Sequence, residues 1–155
     1  MPSVLFVCMG NICRSPAAEG VMKHLLQENG LSVVEVFSCG IGDWHLGSPP
    51  DYRMQEAAKA RCIALLGRAK QFQLTDYEQR DYILCSDHEV LALLHRHAPS
   101  LEAQSKLFLM THFSEQYAGQ EIPDPYYAPH TAFDLVLDML EESCSCFIQH
   151  LKRDL

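Results

Sequence analysis

Residues 4–16 read Val-Leu-Phe-Val-Cys-Met-Gly-Asn-Ile-Cys-Arg-Ser-Pro, and this stretch decides the fold. Its four apolar residues predict a short buried strand, because β-branched and aromatic side chains favour strands. Gly10 and Asn11 tolerate left-handed backbone conformations and predict a tight loop. Ser15 and Pro16 predict the start of a helix, with Ser15 as the cap and Pro16 in the first helical position. We therefore expect a strand, a tight loop and a helix in direct succession.

A loop between a strand and a helix N-terminus is a typical phosphate site, because free backbone N–H groups converge there with the positive end of the helix dipole. Cys8 opens this loop, and Arg14 follows with the spacing Cys-x5-Arg. A thiol ionises more readily near a cation or a helix N-terminus, and the thiolate is the nucleophilic form. The guanidinium fork of Arg14 matches a tetrahedral phosphoryl group. The pair predicts phosphoryl chemistry in addition to phosphate binding.

The rest of the chain alternates between predicted strands and predicted helices. Apolar runs predict further strands at 33–37, 82–85 and 106–110, and helical periodicity predicts helices at 16–28, 51–66 and 86–97 and from 131 onwards. A capping-box pattern at 75–78 predicts one more helical turn. This alternation is typical of βαβ units. We therefore expect one α/β domain over residues 1–155, a three-layer fold in which helices cover both faces of a four-stranded, mostly parallel sheet.

Ligands of such sheets bind beyond the carboxyl ends of the strands. Cys8, Ser38 and Asp87 all lie at such ends in the predicted fold. Asp124 stands between two prolines that stiffen its loop, and two tyrosines follow. Phosphoryl transfer to a cysteine creates an oxygen leaving group that needs a proton, so we predict that Asp124 donates it.

Composition restricts the classes of partner. The net charge of −8 argues against nucleic acid as the main partner. The sequence predicts no cofactor and no metal site, because it contains neither Cys-x2-Cys nor His-Glu-x-x-His. The start of the chain lacks the features of a signal peptide, and no span approaches the roughly 20 apolar residues that cross a membrane. We expect a cytoplasmic protein.

Seven scattered cysteines do not predict a disulfide framework, and those outside the loop are predicted as core or helix-face residues: Cys39, Cys62, Cys85, Cys144 and Cys146.

The sequence 8–16 together with Asp-Pro-Tyr-Tyr at 124–127 resembles the low-molecular-weight protein tyrosine phosphatases. Ser38 and the segments 49–53 and 82–85 also fit the family, so the resemblance covers essentially the whole chain. The family fold is a four-stranded parallel sheet with flanking helices, which agrees with the fold expected from the residue pattern.

The resemblance implies a role for each matching residue. Cys8 would be the nucleophile that forms a phosphocysteine, Arg14 would clamp the phosphate, and Asp124 would act first as an acid and later activate water. Asn11 and Ser15 would shape the loop, with Ser15 also hydrogen-bonded to the thiolate. The family's substrates imply a phosphotyrosine-containing protein or an aryl phosphate as ligand, with phosphate-like oxyanions as inhibitors.

Further positions follow from the same resemblance. Ser38 would support Asn11 from behind, Asp87 would support the site, and Cys13 would be the partner of Cys8 in a reversible protective disulfide. Trp44, the single tryptophan, lies in a long glycine-rich loop and is a candidate pocket wall. The full set of expected phosphate- and substrate-binding residues is Met9, Gly10, Asn11, Ile12, Cys13, Ser15, Trp44, His45, Tyr126 and Tyr127.

The chain departs from the family pattern at Gly67. Many relatives carry a histidine at this position, where it joins the network of the loop Asn and Ser side chains. The glycine puts the support behind the loop in question, but it does not affect the roles of Cys8, Arg14 and Asp124.

Three other functions compete with this interpretation. An arsenate reductase of the same fold needs a cysteine pair after the third strand, and Cys85 has no partner in the helix that follows. A protein-arginine phosphatase carries Thr where Ile12 stands and lacks the double tyrosine, so Ile12 and the tyrosines favour a flat aromatic substrate. A phosphotyrosine-binding module without activity would need neither Cys8 nor Asp124.

Overall fold

Strand β1 (Ser3–Cys8) lies inside the sheet, and all six of its residues are buried. The computed structural model describes residues 2–129 and 131–154. Strand β1 pairs with β2 (Glu35–Gly40) on one side and with β3 (Tyr82–Cys85) on the other, and β3 pairs with β4 (Leu107–Leu109). The order is β2-β1-β3-β4, and every pairing in this sheet is parallel. The predicted four-stranded sheet is confirmed.

Helices cover both faces of the sheet, as predicted. Because side chains alternate along a strand, Val4 and Phe6 pack into one core and Leu5 and Val7 into another. The helices are α1 (Arg14–Glu28), α2 (Tyr52–Lys59), α3 (Asp76–Gln79), α4 (His88–His97), α5 (Leu101–Gln104) and α6 (Thr131–Asp154). The first core lies under α1, α2 and α6, and the second lies largely under α4.

Two predicted boundaries next to the site are wrong. Helix α1 begins at Arg14, so Ser15 and Pro16 lie inside the first turn and Ser15 is not the cap; Cys13 takes the cap position without a side-chain hydrogen bond. Strand β2 continues to Gly40, which places Ser38 within the strand. Both differences arise because the loop contacts β2, and the Ser15 hydroxyl is needed inside the loop.

Other differences lie farther from the site. Helix α2 ends at Lys59, well before the predicted end at 66, and Cys62 follows with a φ of 63°. Cys62 is exposed and was wrongly predicted as a packing residue, whereas Cys39, Cys85 and Cys144 are buried as predicted. Helix α4 is capped by Asp87, and the short helix α5 was not predicted. None of the described helices is both long and apolar enough to cross a membrane.

Helix α6 gives a direct test of the packing. Its predicted apolar stripe is confirmed. Leu140 is fully buried in the core between the sheet and α1, whereas Leu135 on the opposite side of the helix is 47% exposed. We expect Leu140→Ala to lower the free energy of unfolding by about 2–5 kcal/mol because it leaves a cavity. The matched change Leu135→Ala should cost less than about 1 kcal/mol. Urea denaturation measures both values, and similar losses from the two variants would contradict this packing.

Candidate active site

The loop from Cys8 to Arg14 closes over the end of β1 and places two hydrogen-bonding groups next to the Cys8 sulfur. The Asn11 N–H donates a hydrogen bond to Cys8 Sγ at 3.3 Å, and Ser15 Oγ lies 2.9 Å from the same sulfur. Donors aimed at a sulfur stabilise negative charge on it. Cys8 is nevertheless almost fully buried, so it is accessible only from the cleft that the loop encloses.

The neighbouring strand end supports the loop from one side. The Ile41 N–H donates to Cys8 O at 3.0 Å, and the Gly42 N–H donates to Met9 O at 2.9 Å. At Gly40 any side chain would come within 2.9 Å of the loop backbone, so glycine is required for this close approach. The loop is therefore fixed to β2 as well as to β1.

Asn11 connects the loop to the structure behind it. It adopts a left-handed conformation with a φ of 56°, and its Nδ2 donates to Ser15 Oγ at 2.8 Å and Ser38 Oγ at 3.1 Å. Its Oδ1 accepts the Lys70 N–H at 2.8 Å. Ser38 Oγ in turn donates to Glu19 Oε1 at 2.6 Å. The side-chain amide of Asn11 therefore has partners on both its oxygen and its nitrogen.

This network accounts for the glycine at position 67. Gly67 has a φ of 92°, and a side chain there would meet nothing within 4 Å. It lines a small cavity behind the loop together with Asn11, Glu19 and Ser38. The Glu19 carboxylate, fixed on its other side by Lys23 at 2.6 Å, supplies the acceptor for Ser38 without a histidine.

Glu19 is a supporting residue that the sequence interpretation missed. A usable signal was present, because Glu19 follows Ser15 by four positions and so lies on the same face of α1, one turn farther along. Ser15, Glu19 and Lys23 follow one another at this spacing, so they form a polar row along one side of the helix.

Arg14 lies buried between two carboxylates. Its Nη1 donates to Asp87 Oδ2 at 2.8 Å and to Ile122 O at 3.0 Å. Its Nη2 is 3.8 Å from Asp124 Oδ2. Asp87 also caps α4 by accepting the Val90 N–H at 2.8 Å, so this carboxylate fixes Arg14 and α4 together.

Eight of the ten predicted phosphate- and substrate-binding residues line one cleft of about 270 Å³, together with Cys8, Arg14 and Asp124. Asp124 lies at its rim with a side chain that is 55% exposed, and its Oδ1 accepts the Tyr126 N–H at 3.1 Å. Asn11, Ser15, Ser38 and Asp87 are not among the lining residues. The lining consists of Cys8, Met9, Gly10, Ile12, Cys13, Arg14, Trp44, His45, Asp124, Tyr126 and Tyr127.

Aromatic rings form the walls of this cleft. The Trp44 ring packs over Gly42 of its own loop yet stays 68% exposed. The rings of His45 and Tyr126 are 6.3 Å apart, and Tyr127 meets Tyr126 edge-on at 4.8 Å. Flat rings around a deep cleft with a cation at its base suit an aromatic group that carries an anion.

Cys13 lines the cleft and is a free thiol. Burial raises the pKa of Cys13 far above its ordinary value, and the Asp51 carboxylate raises it further. Cys13 is therefore protonated at neutral pH. Within the described ranges no group of three or more His, Cys, Asp or Glu side chains is arranged to hold a metal ion.

Two substitutions of Asn11 separate its backbone role from its hydrogen bonds. Asn11→Gly keeps the left-handed conformation but loses the side-chain bonds, and we expect a loss of about 2–3 kcal/mol in unfolding free energy. Asn11→Ala should lose about 1 kcal/mol more, because a Cβ without a polar group disfavours this conformation. Urea denaturation measures both, and an alanine variant as stable as the wild type would refute this account of the loop.

Comparison with known proteins assigns the chain to a family. The model of the low molecular weight phosphotyrosine protein phosphatase family matches residues 3–155. The low molecular weight protein-tyrosine-phosphatase PtpA of Staphylococcus epidermidis is 36% identical over 154 residues, which cover 99% of this chain and 96% of the relative.

Solved structures agree with this assignment. A protein tyrosine phosphatase from Entamoeba histolytica with Hepes in its active site matches with a TM-score of 0.95 and 34% identity, covering 99% of both chains. The Drosophila arginine phosphatase DARP matches with a TM-score of 0.88 and 30% identity, covering 96% of this chain and 97% of that one. The chain therefore belongs to the low molecular weight phosphotyrosine protein phosphatase family, whose members are phosphoric monoester hydrolases.

Proposed function

We propose that this phosphatase hydrolyses phosphotyrosine through a phosphocysteine intermediate, with Cys8 as nucleophile, Arg14 as phosphate clamp and Asp124 as general acid and base. One observation carries the proposal: a single cleft brings the Cys8 sulfur, the Arg14 guanidinium and the Asp124 carboxyl group together. A nucleophile, a cation for the phosphoryl oxygens and a proton donor are what such a transfer requires.

In the first step the phosphoryl oxygens bind the loop N–H groups and the Arg14 guanidinium. The Cys8 thiolate attacks phosphorus, the P–S bond forms, and the bond to the tyrosyl oxygen breaks. Asp124 gives its proton to that leaving oxygen. Arg14 is already oriented by Asp87 and Ile122 O, so little reorganisation accompanies the charge that develops on the phosphoryl oxygens.

In the second step a water molecule attacks the phosphorus of phosphocysteine. The Asp124 carboxylate takes a proton from this water, the P–S bond breaks, and inorganic phosphate leaves. Ser15 Oγ, 2.9 Å from Cys8 Sγ, stabilises the departing thiolate when it donates its proton toward the sulfur.

The aromatic walls support phosphotyrosine as the substrate. Tyr126, Tyr127 and Trp44 line the entrance, and Ile12 lies in the loop at the base of the cleft. The likeness to Drosophila arginine phosphatase makes phosphoarginine the alternative to test. Hydrolysis of matched phosphotyrosine, phosphoserine and phosphoarginine peptides should favour phosphotyrosine, and faster release from phosphoarginine would overturn this choice.

Other expectations belong to the same proposal. We propose phosphotyrosine-containing proteins or aryl phosphates as partners and phosphate-like oxyanions such as vanadate as inhibitors, and the Hepes molecule in the Entamoeba relative supports an oxyanion at this position. The family match to residues 3–155 supports a single phosphatase domain over residues 1–155. The cytoplasmic location expected from the sequence stays a prediction, which microscopy of the tagged protein in its native cell would test.

Substitution of the proposed nucleophile and acid tests the mechanism. We expect Cys8→Ser to lower kcat for an aryl phosphate by at least about 10³-fold, because a serine hydroxyl is a far weaker nucleophile. Asp124→Asn should lower kcat by about 10²–10⁴-fold, because it removes the proton donor, while vanadate inhibition is largely retained. Steady-state kinetics without added metal measure both effects.

Matched controls exist for both changes. Cys62→Ser and Asp43→Asn alter exposed residues that do not line the cleft, so their kinetics should equal those of the wild type. Undiminished turnover in Cys8→Ser would refute the nucleophile. Loss of vanadate inhibition in Asp124→Asn would show that Asp124 serves binding instead of proton transfer.

The proposed role of Cys13 gives a redox prediction. Peroxide oxidises the Cys8 thiolate to a sulfenic acid, which condenses with the Cys13 thiol to a disulfide and releases water. We expect mild peroxide to inactivate the enzyme reversibly, with a Cys8–Cys13 disulfide visible by peptide mass spectrometry. In Cys13→Ser the sulfenic acid has no partner thiol, so further peroxide oxidises it to the sulfinic acid, and dithiothreitol should not reverse this inactivation. Equal recovery of both proteins after reduction would contradict this role.

A further inference from the structure

Arg53 is held rigidly beside the cleft although it does not line it. Its Nε donates to Asp51 Oδ1 at 3.2 Å and its Nη2 donates to Asp51 Oδ2 at 3.0 Å. Asp51 Oδ1 also accepts the backbone N–H of Arg53 at 2.8 Å. A two-point contact of this kind fixes the plane of a guanidinium as well as its position.

The fixed guanidinium contacts two aromatic rings from different parts of the chain. Its central carbon lies 5.4 Å from the ring centre of Tyr126 and 4.8 Å from that of Phe133. Both distances are within the range in which a cation is attracted to a ring face. Phe133 is buried at the start of α6, so Arg53 joins the Tyr126 loop to a fixed part of the core.

The same residues connect the two reacting sides of the site. The Asp51 N–H donates to Ile12 O in the phosphate loop at 2.6 Å. At the other end, the Tyr126 N–H donates to Asp124 Oδ1 at 3.1 Å. A continuous series of contacts therefore runs from the loop that contains Cys8, through Asp51, Arg53 and Tyr126, to the Asp124 carboxyl group.

We propose that Arg53 is a positioning residue. It holds Tyr126 in place, and the N–H group of Tyr126 in turn holds the Asp124 carboxyl group over Cys8. This inference rests on the proposed role of Asp124 as the acid. Asp124 needs such support, because its side chain is more than half exposed and its 3.8 Å contact with Arg14 is too long to be a hydrogen bond. Misplacement of an acid by about 1 Å impairs proton transfer while phosphate binding continues.

The dependence of the rate on the leaving group tests this role. Phenyl phosphate needs a proton donor, whereas p-nitrophenyl phosphate releases a stable phenolate and needs it less. We expect Arg53→Met to lower the ratio of kcat/KM for phenyl phosphate to that for p-nitrophenyl phosphate by about 5–10-fold. Inhibition by vanadate should stay within about twofold of the wild type, because Arg14 and the loop are untouched.

Arg80 provides a matched control. It pairs with Asp76 and lies over the Phe37 ring at 4.0 Å, so it makes the same kind of contacts. It also reaches Ser3 at the amino end of β1, the end of the strand away from the cleft. Arg80→Met should leave the leaving-group ratio unchanged. The proposal is overturned if Arg53→Met leaves the leaving-group ratio at the wild-type value. That includes the case in which kcat/KM falls equally for both substrates.

Two further proteins keep the test decisive. If Arg53→Met does not fold, Arg53→Lys, which keeps the charge but not the two-point contact, should still lower the ratio, and a wild-type ratio in the lysine variant would refute the role. In Asp124→Asn, adding Arg53→Met should not change the ratio further. If Asp124→Asn itself leaves the ratio at the wild-type value, the proposed acid is wrong; if only Arg53→Met does so, the acid stands and the positioning role fails.

Discussion

The hydrogen bonds of the Asn11 side chain are the constraint on which the site depends. A loop that turns its N–H groups toward a bound anion cannot use them for its own backbone pairing, so something else must hold its shape. Asn11 supplies this by accepting a left-handed conformation and bonding to Ser15, Ser38 and Lys70. The same turn directs its own N–H at the Cys8 sulfur. Backbone shape and the environment of the nucleophile are therefore set together.

The proposed anion site lies in a protein whose overall charge is negative. The chain carries a net charge of −8, and two carboxylates flank Arg14. Asp87 orients the guanidinium at 2.8 Å and remains outside the lining of the cleft. In the proposed mechanism, local N–H donors and one oriented cation hold an anion in an acidic protein, because short-range hydrogen bonds outweigh a distant, screened field.

The fold was predicted from local sequence patterns, whereas most residues that line the cleft were predicted from the family resemblance. The alternation of strands and helices determines the parallel sheet, and the strand-loop-helix order at residues 4–16 determines where phosphate chemistry is expected. What could not be predicted depends on tertiary contacts. The local pattern predicted Ser15 as a helix cap, which is wrong, whereas the contact of its hydroxyl with Cys8 was expected only from the family resemblance. Glu19 and Arg53 were missed, because their partners come from β2 and from the 124–127 loop, far away in the sequence.

The covalent intermediate on Cys8 is the central claim, and detecting it tests the account most directly. Asp124→Asn enzyme should accumulate the intermediate during turnover of p-nitrophenyl phosphate, because this leaving group needs the proton donor less, whereas activation of water in the second step is impaired. Phosphorus NMR of the rapidly denatured protein, followed by peptide mapping, should reveal a phosphorus–sulfur species on the peptide that contains Cys8. Phosphate attached to any other residue, or released with no bound species while turnover continues, would contradict the mechanism.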